Sequence, residues 1–152
     1  MPLQQYVYFA LFSRTVPARA MTADLGLDPD ESSVRGSRCA APRPVPVEHR
    51  WQIECREPGL TVDEQIACVL DRLRPHTDRI ADLADRLADD GEGGAVLQVV
   101  RSFHSVAPAR PETGDAPAPY GWHLDRSVLD FLAATGAELG VDEYDLTDDD
   151  EE

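Results

Sequence analysis

Two helical patterns of apolar and polar positions occupy the middle of the chain, between Leu60 and Gly91. In each pattern apolar residues recur at spacings of three and four, which places them on one face of a helix. Pro75 lies between the two patterns. Because proline lacks a backbone N–H and clashes with the preceding turn, the sequence predicts two helices here rather than one. The apolar positions are Val62, Ile66, Val69, Leu70 and Leu73 in the first pattern, and Ile80, Leu83, Ala84 and Leu87 in the second.

Four other stretches have the patterns of β-strands. Residues 6–13 and 95–103 are apolar at nearly every position, as in central strands that are covered on both faces. Residues 51–55 and 139–144 alternate between apolar and polar side chains, which is typical of strands at the edges of a sheet. A short helix is predicted after the first strand and another before the last.

The order of these elements predicts an α+β fold. It fits a ferredoxin-like pair of split βαβ units, with a four-stranded antiparallel sheet and the helix pair inserted between strands 2 and 3. Strands 1 and 3 are central in that arrangement. The other two helices share one face of the sheet. Because strands 1 and 3 are apolar on both faces, we expect the second face to be covered too, either by the inserted helix pair or by another copy of the protein.

The length of 152 residues corresponds to about one domain. We expect a single α+β domain over residues 1–146, with flexible loops near residues 30–47 and 105–120, where prolines are frequent and large apolar residues are few. Residues 147–152 are one Thr followed by five acids, which predicts a disordered acidic tail.

Charge is distributed unevenly along the chain. The net charge is −15, with +1 over Met1–Arg56 and −16 over Glu57–Glu152. Such an acidic chain disfavours binding to nucleic acid or to anionic lipid, and favours a basic protein partner. The three cysteines form no CxxC pair, and the apolar residues near the N-terminus are too few to span a membrane. These features indicate a cytoplasmic protein.

Several short motifs follow one another along the chain. They are the turn Leu25–Pro29, the loop Arg35–Ser37, Trp51 at the start of a strand, the junction Leu70–Pro75, the segment Gly121–Leu124 and the strand Gly140–Tyr144. In this order they resemble a bacterial family, the domain-of-unknown-function family numbered 4279. The resemblance implies a small cytosolic α+β domain, and it implies no activity.

Candidate binding residues come from an arginine-bearing loop and from nearby aromatic residues. Arginine offers a planar fork of donors and tryptophan a flat apolar wall, so together they could hold an anionic or carboxylate group. In the alternative interpretation, the arginines pair with the protein's own acids and both tryptophans fill the core. The candidates are Arg35, Arg38, Arg43, Trp51, Trp122 and His123.

No pattern of catalytic or metal-binding residues is visible. The four histidines lack the spacing of zinc ligands, and neither HExxH nor GxSxG occurs. We therefore expect no catalytic residue, no metal and no cofactor, and an enzyme is disfavoured.

The favoured interpretation is a non-enzymatic binding domain, such as an immunity protein that neutralises a basic toxin, because complementary charge speeds encounter. One alternative is a small-molecule sensor or enzyme that uses the arginine-rich loop beside Trp51. Another is a homodimer formed through the bare face of the sheet.

Overall fold

The computed structural model describes residues 3–37, 46–89, 91–103 and 121–145. These residues form a five-stranded sheet and four α-helices. In chain order the elements are β1 (Leu3–Ser13), α1 (Ala18–Leu25), β2 (Glu31–Ser33), β3 (His49–Cys55), α2 (Val62–Leu73), α3 (Thr77–Asp89), β4 (Gly94–Phe103), α4 (Arg126–Thr135) and β5 (Glu138–Asp145).

The strands lie in the order β2-β3-β1-β4-β5. All neighbouring strands are antiparallel except β4 and β5, which are parallel. The predicted α+β class is confirmed, and the first and third predicted strands, β1 and β4, are central. The ferredoxin-like fold is wrong, because the sheet is five-stranded and mixed rather than four-stranded and antiparallel. The helix pair follows β3, the third strand, and not the second.

The difference begins at β2, a strand of three polar residues inside the loop predicted near residues 30–47. β2 pairs antiparallel with β3, so the chain reverses before it enters β3. β3 can therefore lie antiparallel beside β1, where it occupies the edge of β1 that the last strand would take in the predicted fold. The remaining free edge belongs to β4, and β5 pairs there in parallel.

The predicted break at Pro75 is confirmed. α2 ends at Leu73, a 3-10 turn spans Arg74–His76, and α3 begins at Thr77. The two helices barely touch each other, and each packs separately on the sheet. They form no antiparallel hairpin. Because β3 and β4 run in the same direction, the two helices together carry the chain back along the sheet, as a single helix does in a βαβ unit.

The residues at the helix ends make the capping interactions that their side chains favour. The Thr61 side chain accepts a hydrogen bond from the Glu64 N–H, and the Glu64 carboxylate accepts one from the Thr61 N–H, which makes a capping box before α2. Asp125 caps α4 in a similar way through the Val128 N–H. Gly136 ends α4 with a left-handed φ of 67°.

All four helices pack on one face of the sheet, which we call the helix face. Its strand side chains come from alternate residues, among them Phe9, Ile53 and Leu97, which lie side by side in register. Phe131 of α4 meets Phe9 edge-on, with the ring centroids 5.6 Å apart. The helix pair thus does not cover the second face, and no helix in the described ranges lies on it.

Some predictions concern residues outside the described ranges. They include the whole of the loop predicted near residues 105–120, the part of the first predicted loop at 38–45, and the predicted acidic tail. Arg38 and Arg43 also lie there. Across the part of the chain that is described, no helix combines the length and the apolar composition needed to cross a membrane.

Candidate functional site

Arg35 lies near the C-terminal end of β1. Its guanidinium donates a hydrogen bond to the Arg14 carbonyl over 3.4 Å, and its backbone N–H donates to Nδ1 of His49 over 3.1 Å. Arg35 is an exposed residue, and within the described ranges its polar contacts are with these two neighbours rather than with an acid. Of the three predicted arginines, Arg35 lies within the described ranges and the other two do not.

The two tryptophans lie in or against the core. Trp51 has an exposed fraction of 0% and points to the helix face, so it cannot form the wall of a surface site. Trp122 is partly buried and packs against the core from its margin. These positions are those of the alternative interpretation, in which both tryptophans serve packing.

His123 lies against the first turn of α2. Its backbone N–H donates to Oδ1 of Asp63 over 2.9 Å, and its Nδ1 lies 3.5 Å from Oδ2 of the same residue. The His123 side chain is 78% exposed. Through these contacts, the segment just before α4 is held against the N-terminal end of α2.

The N-terminal end of α2 lies beside the start of β1. The buried Gln65 of α2 donates from Nε2 to the Gln5 carbonyl over 3.1 Å. Arg35, in contrast, contacts Arg14, nine residues further along, and at about 3.3 Å per strand residue that is a separation of roughly 30 Å. The structure therefore does not bring Arg35 and His123 into one site.

The face of the sheet opposite the helices, which we call the open face, carries a row of aromatic and arginine side chains. The rings of Tyr6 and Tyr8 stack with centroids 6.1 Å apart. The Arg56 guanidinium lies 3.9 Å from the centre of the Tyr6 ring, and that of Arg50 lies 5.2 Å from the centre of the Tyr8 ring. Sequence reasoning missed this row, because recognising it requires the pairing register of β1 with β3.

A small polar recess lies between β2 and β3. Its volume is about 180 Å³, and it is lined by Glu31, Ser32, Ser33, Arg50 and Gln52. Sites for small organic ligands are usually larger, about 300–1,000 Å³, and mostly apolar. This recess therefore gives little support to a small-molecule site.

An ion pair fastens the chain just before β2. Arg72 of α2 donates to both carboxylate oxygens of Asp30, over 2.6 and 3.0 Å. The same carboxylate accepts the Glu54 N–H over 2.8 Å. The hydrogen bonds from Arg72, and then that from Glu54, hold the pKa of Asp30 below its usual value against the opposing effect of partial burial. This edge of the sheet is thus tied to the helix layer.

The described residues offer little for catalysis. Although Cys68 is exposed on α2, burial and then the neighbouring Cys55 thiol raise its pKa. A thiol with a raised pKa stays protonated near neutral pH and is a poor nucleophile. No group of three or more His, Cys, Asp and Glu side chains in the described ranges could hold a metal ion.

The opposite margin of the sheet, which we call the β5 edge, is the outer side of Glu138–Asp145. Seven of its eight residues are exposed, and no strand in the described ranges pairs with this side. The alternating patterns predict edge positions for residues 51–55 and 139–144. The second prediction is confirmed, whereas the first is wrong, because β3 lies between β2 and β1. The exposed apolar residues are Leu139, Val141 and Tyr144, and the acids are Glu138, Asp142, Glu143 and Asp145. The strand contains no basic residue.

Several arginines elsewhere pair with the protein's own acids. Arg101 of β4, which is 2% exposed, reaches β5 from the neighbouring strand, with its Nη1 4.0 Å from Oε1 of Glu143. Other arginine–acid pairs in the described ranges are Arg14–Glu92, Arg56–Glu54, Arg72–Asp30, Arg74–Asp71 and Arg86–Asp24. β5 carries four acids and no basic residue of its own, so the β5 edge is an acidic strand.

Comparison with known proteins agrees with the order of motifs in the sequence. No curated protein and no solved structure matches the chain. A family model described as a domain of unknown function, DUF4279, matches residues 4–146. The match extends from the first strand to the end of the last, so all the elements described above belong to one family unit. The chain is therefore a member of the DUF4279 family.

Proposed function

We propose that this protein is a bacterial cytoplasmic binding domain that holds a basic protein partner at the β5 edge, as an immunity protein holds a cationic toxin. The observation that carries the proposal is the composition of this strand, in which four of eight residues are acids and none is basic. Opposite charge on a partner would raise the rate of encounter and disfavour acidic competitors.

The position of the charge matters more than its total. A net charge of −15 spread evenly would attract any cation weakly and would mark no surface. Around β2 and along α2, arginines and acids neutralise each other in pairs such as Arg72–Asp30 and Arg74–Asp71. In the sequence the five acids of residues 148–152 follow closely after β5. The excess negative charge is thus concentrated toward the C-terminal part of the chain.

The rival functions have less support. A sensor or enzyme built on the arginine-rich loop beside Trp51 would need the indole at the surface, and Trp51 is fully buried. A homodimer through the open face would need a self-complementary patch, and the arginines there already lie over Tyr6 and Tyr8. A basic partner would instead contact the exposed acids of β5, which take no part in the hydrophobic core.

The test is a pull-down from a lysate of the native host with three forms of the protein. One is the wild type, the second is Glu138→Lys/Asp142→Lys in β5, and the third is the control Asp82→Lys/Asp85→Lys in α3. All four positions are exposed, and both variants change the charge equally. We expect the wild type and the control to retain the same basic protein at about 50 mM salt and to lose most of it at about 500 mM.

The β5 variant should not retain that protein at either salt concentration. Circular dichroism of the three forms would establish that each is folded. Equal recovery by all three forms, or recovery of acidic partners only, would count against the proposal.

A further inference from the structure

We infer that the β5 edge binds an extended basic segment of its partner as a sixth strand of the sheet. This inference rests on the proposed function and adds the mode of binding and the chemistry of the segment. It is carried by the backbone of β5, by the exposure of its side chains and by their order along the strand.

The backbone of β5 is used on one side only. Its residues pair with β4 over the whole strand, from Glu138 beside Val96 to Asp145 beside Phe103. In a strand, alternate N–H and C=O groups point to opposite sides, so half of them face away from β4. Among the described elements none pairs with that side. A row of unpaired groups of this length is a template for a strand from another chain.

The helix layer stops short of β5. Leu139 and Val141 point to the helix face, yet they are 40% and 42% exposed, whereas their partners Leu97 and Val99 are fully buried. The reason is that α4 packs mainly on α3 and makes little contact with β5. A strand added at this edge would place its own side chains beside Leu139 and Val141 and bury them further.

The order of side chains specifies the ligand. Along the helix face β5 presents two apolar residues, Leu139 and Val141, and then two acids, Glu143 and Asp145. The Glu143 carboxylate lies 4.0 Å from Arg101, but its side chain is 51% exposed and can accept a second cation. Opposite charges across neighbouring strands stabilise a sheet, and like charges destabilise it. The matching segment therefore carries apolar residues at one end and arginine or lysine at the other. A second copy of β5 would bring four more acids to the edge and is disfavoured.

The probe is the capped peptide Arg-Thr-Arg-Thr-Val-Thr-Val-Thr, which matches the order of β5 side chains when it adds antiparallel. A second peptide with the reversed sequence matches that order when it adds parallel. Two further versions of each peptide carry N-methyl groups on one or the other alternate set of amides. In an added strand one set of amides faces β5 and the other faces water. Binding is followed through the backbone amide signals of the protein in solution NMR, and by hydrogen exchange of the β5 amides.

We expect a peptide of one direction to bind and to slow hydrogen exchange in β5. One of its N-methylated versions should bind roughly tenfold or more weakly, because it loses several hydrogen bonds to β5, while the other should bind about as well as the parent. Glu138 and Asp142 lie on the open face of the same strand, so Glu138→Lys/Asp142→Lys acts through the overall charge of β5 and should weaken the parent peptide roughly tenfold. The control Asp82→Lys/Asp85→Lys should weaken it by less than about threefold.

Three results would overturn the inference. In the first, both N-methylated versions bind as well as the parent, which means that charge alone holds the peptide. In the second, no peptide binds although the pull-down recovers a basic partner that depends on β5. In the third, sedimentation without peptide shows a dimer that Glu138→Lys/Asp142→Lys abolishes, so the occupant is a second copy. The first two leave the proposed function standing, whereas a pull-down without a basic partner removes the proposed function itself.

Discussion

The two margins of the sheet are built in opposite ways. β2 is three residues long and polar, and the chain just before it is fastened to α2 by the ion pair of Asp30 and Arg72. β5 is eight residues long, exposed along nearly its whole length, and acidic. A sheet edge can be protected from unwanted pairing by being short or by being charged. The short edge leaves little to bind, whereas the charged edge repels only strands of its own sign.

The largest effect is expected from Gly140→Ala in β5. The side chain of Gln98 lies so close over Gly140 that an added Cβ would overlap its Oε1 and Cδ atoms. Gln98 is only 9% exposed, so it has little room to move aside. We expect a loss of about 1–3 kcal/mol in the free energy of unfolding, measured by urea denaturation, because the largely buried Gln98 side chain has to leave its packed position.

A second substitution provides the control for this prediction. Gln98→Ala in the Gly140→Ala background removes the overlap and should restore most of the lost stability. A Gly140→Ala protein as stable as the wild type would instead show that the Gln98 side chain moves aside at no cost in free energy.

An intermediate effect is expected at the other margin, from Asp30→Asn. The ion pair with Arg72 is partly exposed and therefore screened by solvent, so its loss should cost about 1 kcal/mol at neutral pH. The pKa of Asp30 is lowered in the folded protein, so its contribution is present above the usual value of 3.8 and disappears as the pH falls through the lower, folded pKa.

Urea denaturation at several pH values checks this sign. The stability difference between the wild type and Asp30→Asn should be largest near neutral pH and should shrink as the solution is acidified below about pH 4. A difference that stays constant down to about pH 2 would mean that the carboxylate charge contributes nothing, and that β2 is held by other contacts.

The smallest effect on stability is expected from neutralising β5 with Glu138→Gln/Asp142→Asn. Both residues are exposed, so the free energy of unfolding should change by less than about 0.5 kcal/mol. The removal of repulsion should nevertheless promote self-association, which sedimentation velocity at increasing protein concentration would detect. The matched pair Asp82→Asn/Asp85→Asn in α3 should sediment as the wild type does. Identical sedimentation of both pairs would show that charge does not protect this edge.

Features that depend on neighbouring residues were predictable from the sequence. The break at Pro75, the capping box at Thr61 and the end of α4 at Gly136 follow from backbone chemistry within a few residues. The central positions of β1 and β4 were predictable as well, because strands that are apolar at nearly every position are typical of the middle of a sheet, where a strand lies on each side.

The pairing of the strands was not predictable in the same way. Glu31, Ser32 and Ser33 have no apolar alternation, because β2 is exposed, yet this short strand reverses the chain and changes which edge of β1 is free. The described candidate residues lie apart for a related reason. Trp51 and Arg35 are near each other in the sequence, but the pleat turns Trp51 into the core while Arg35 stays at the surface. The acidic character of β5 is visible in the sequence. The strand order is needed to show that no described strand pairs with its outer side.

The burial of Trp51 gives the protein two separate optical reporters. The chain has two tryptophans, of which Trp51 is fully enclosed and Trp122 is partly exposed at the margin of the core. An aqueous quencher such as iodide should therefore reach only the fluorescence of Trp122 in the native state. Global denaturation would make both indoles quenchable, whereas a local rearrangement around residues 121–124 would alter the accessible emission alone.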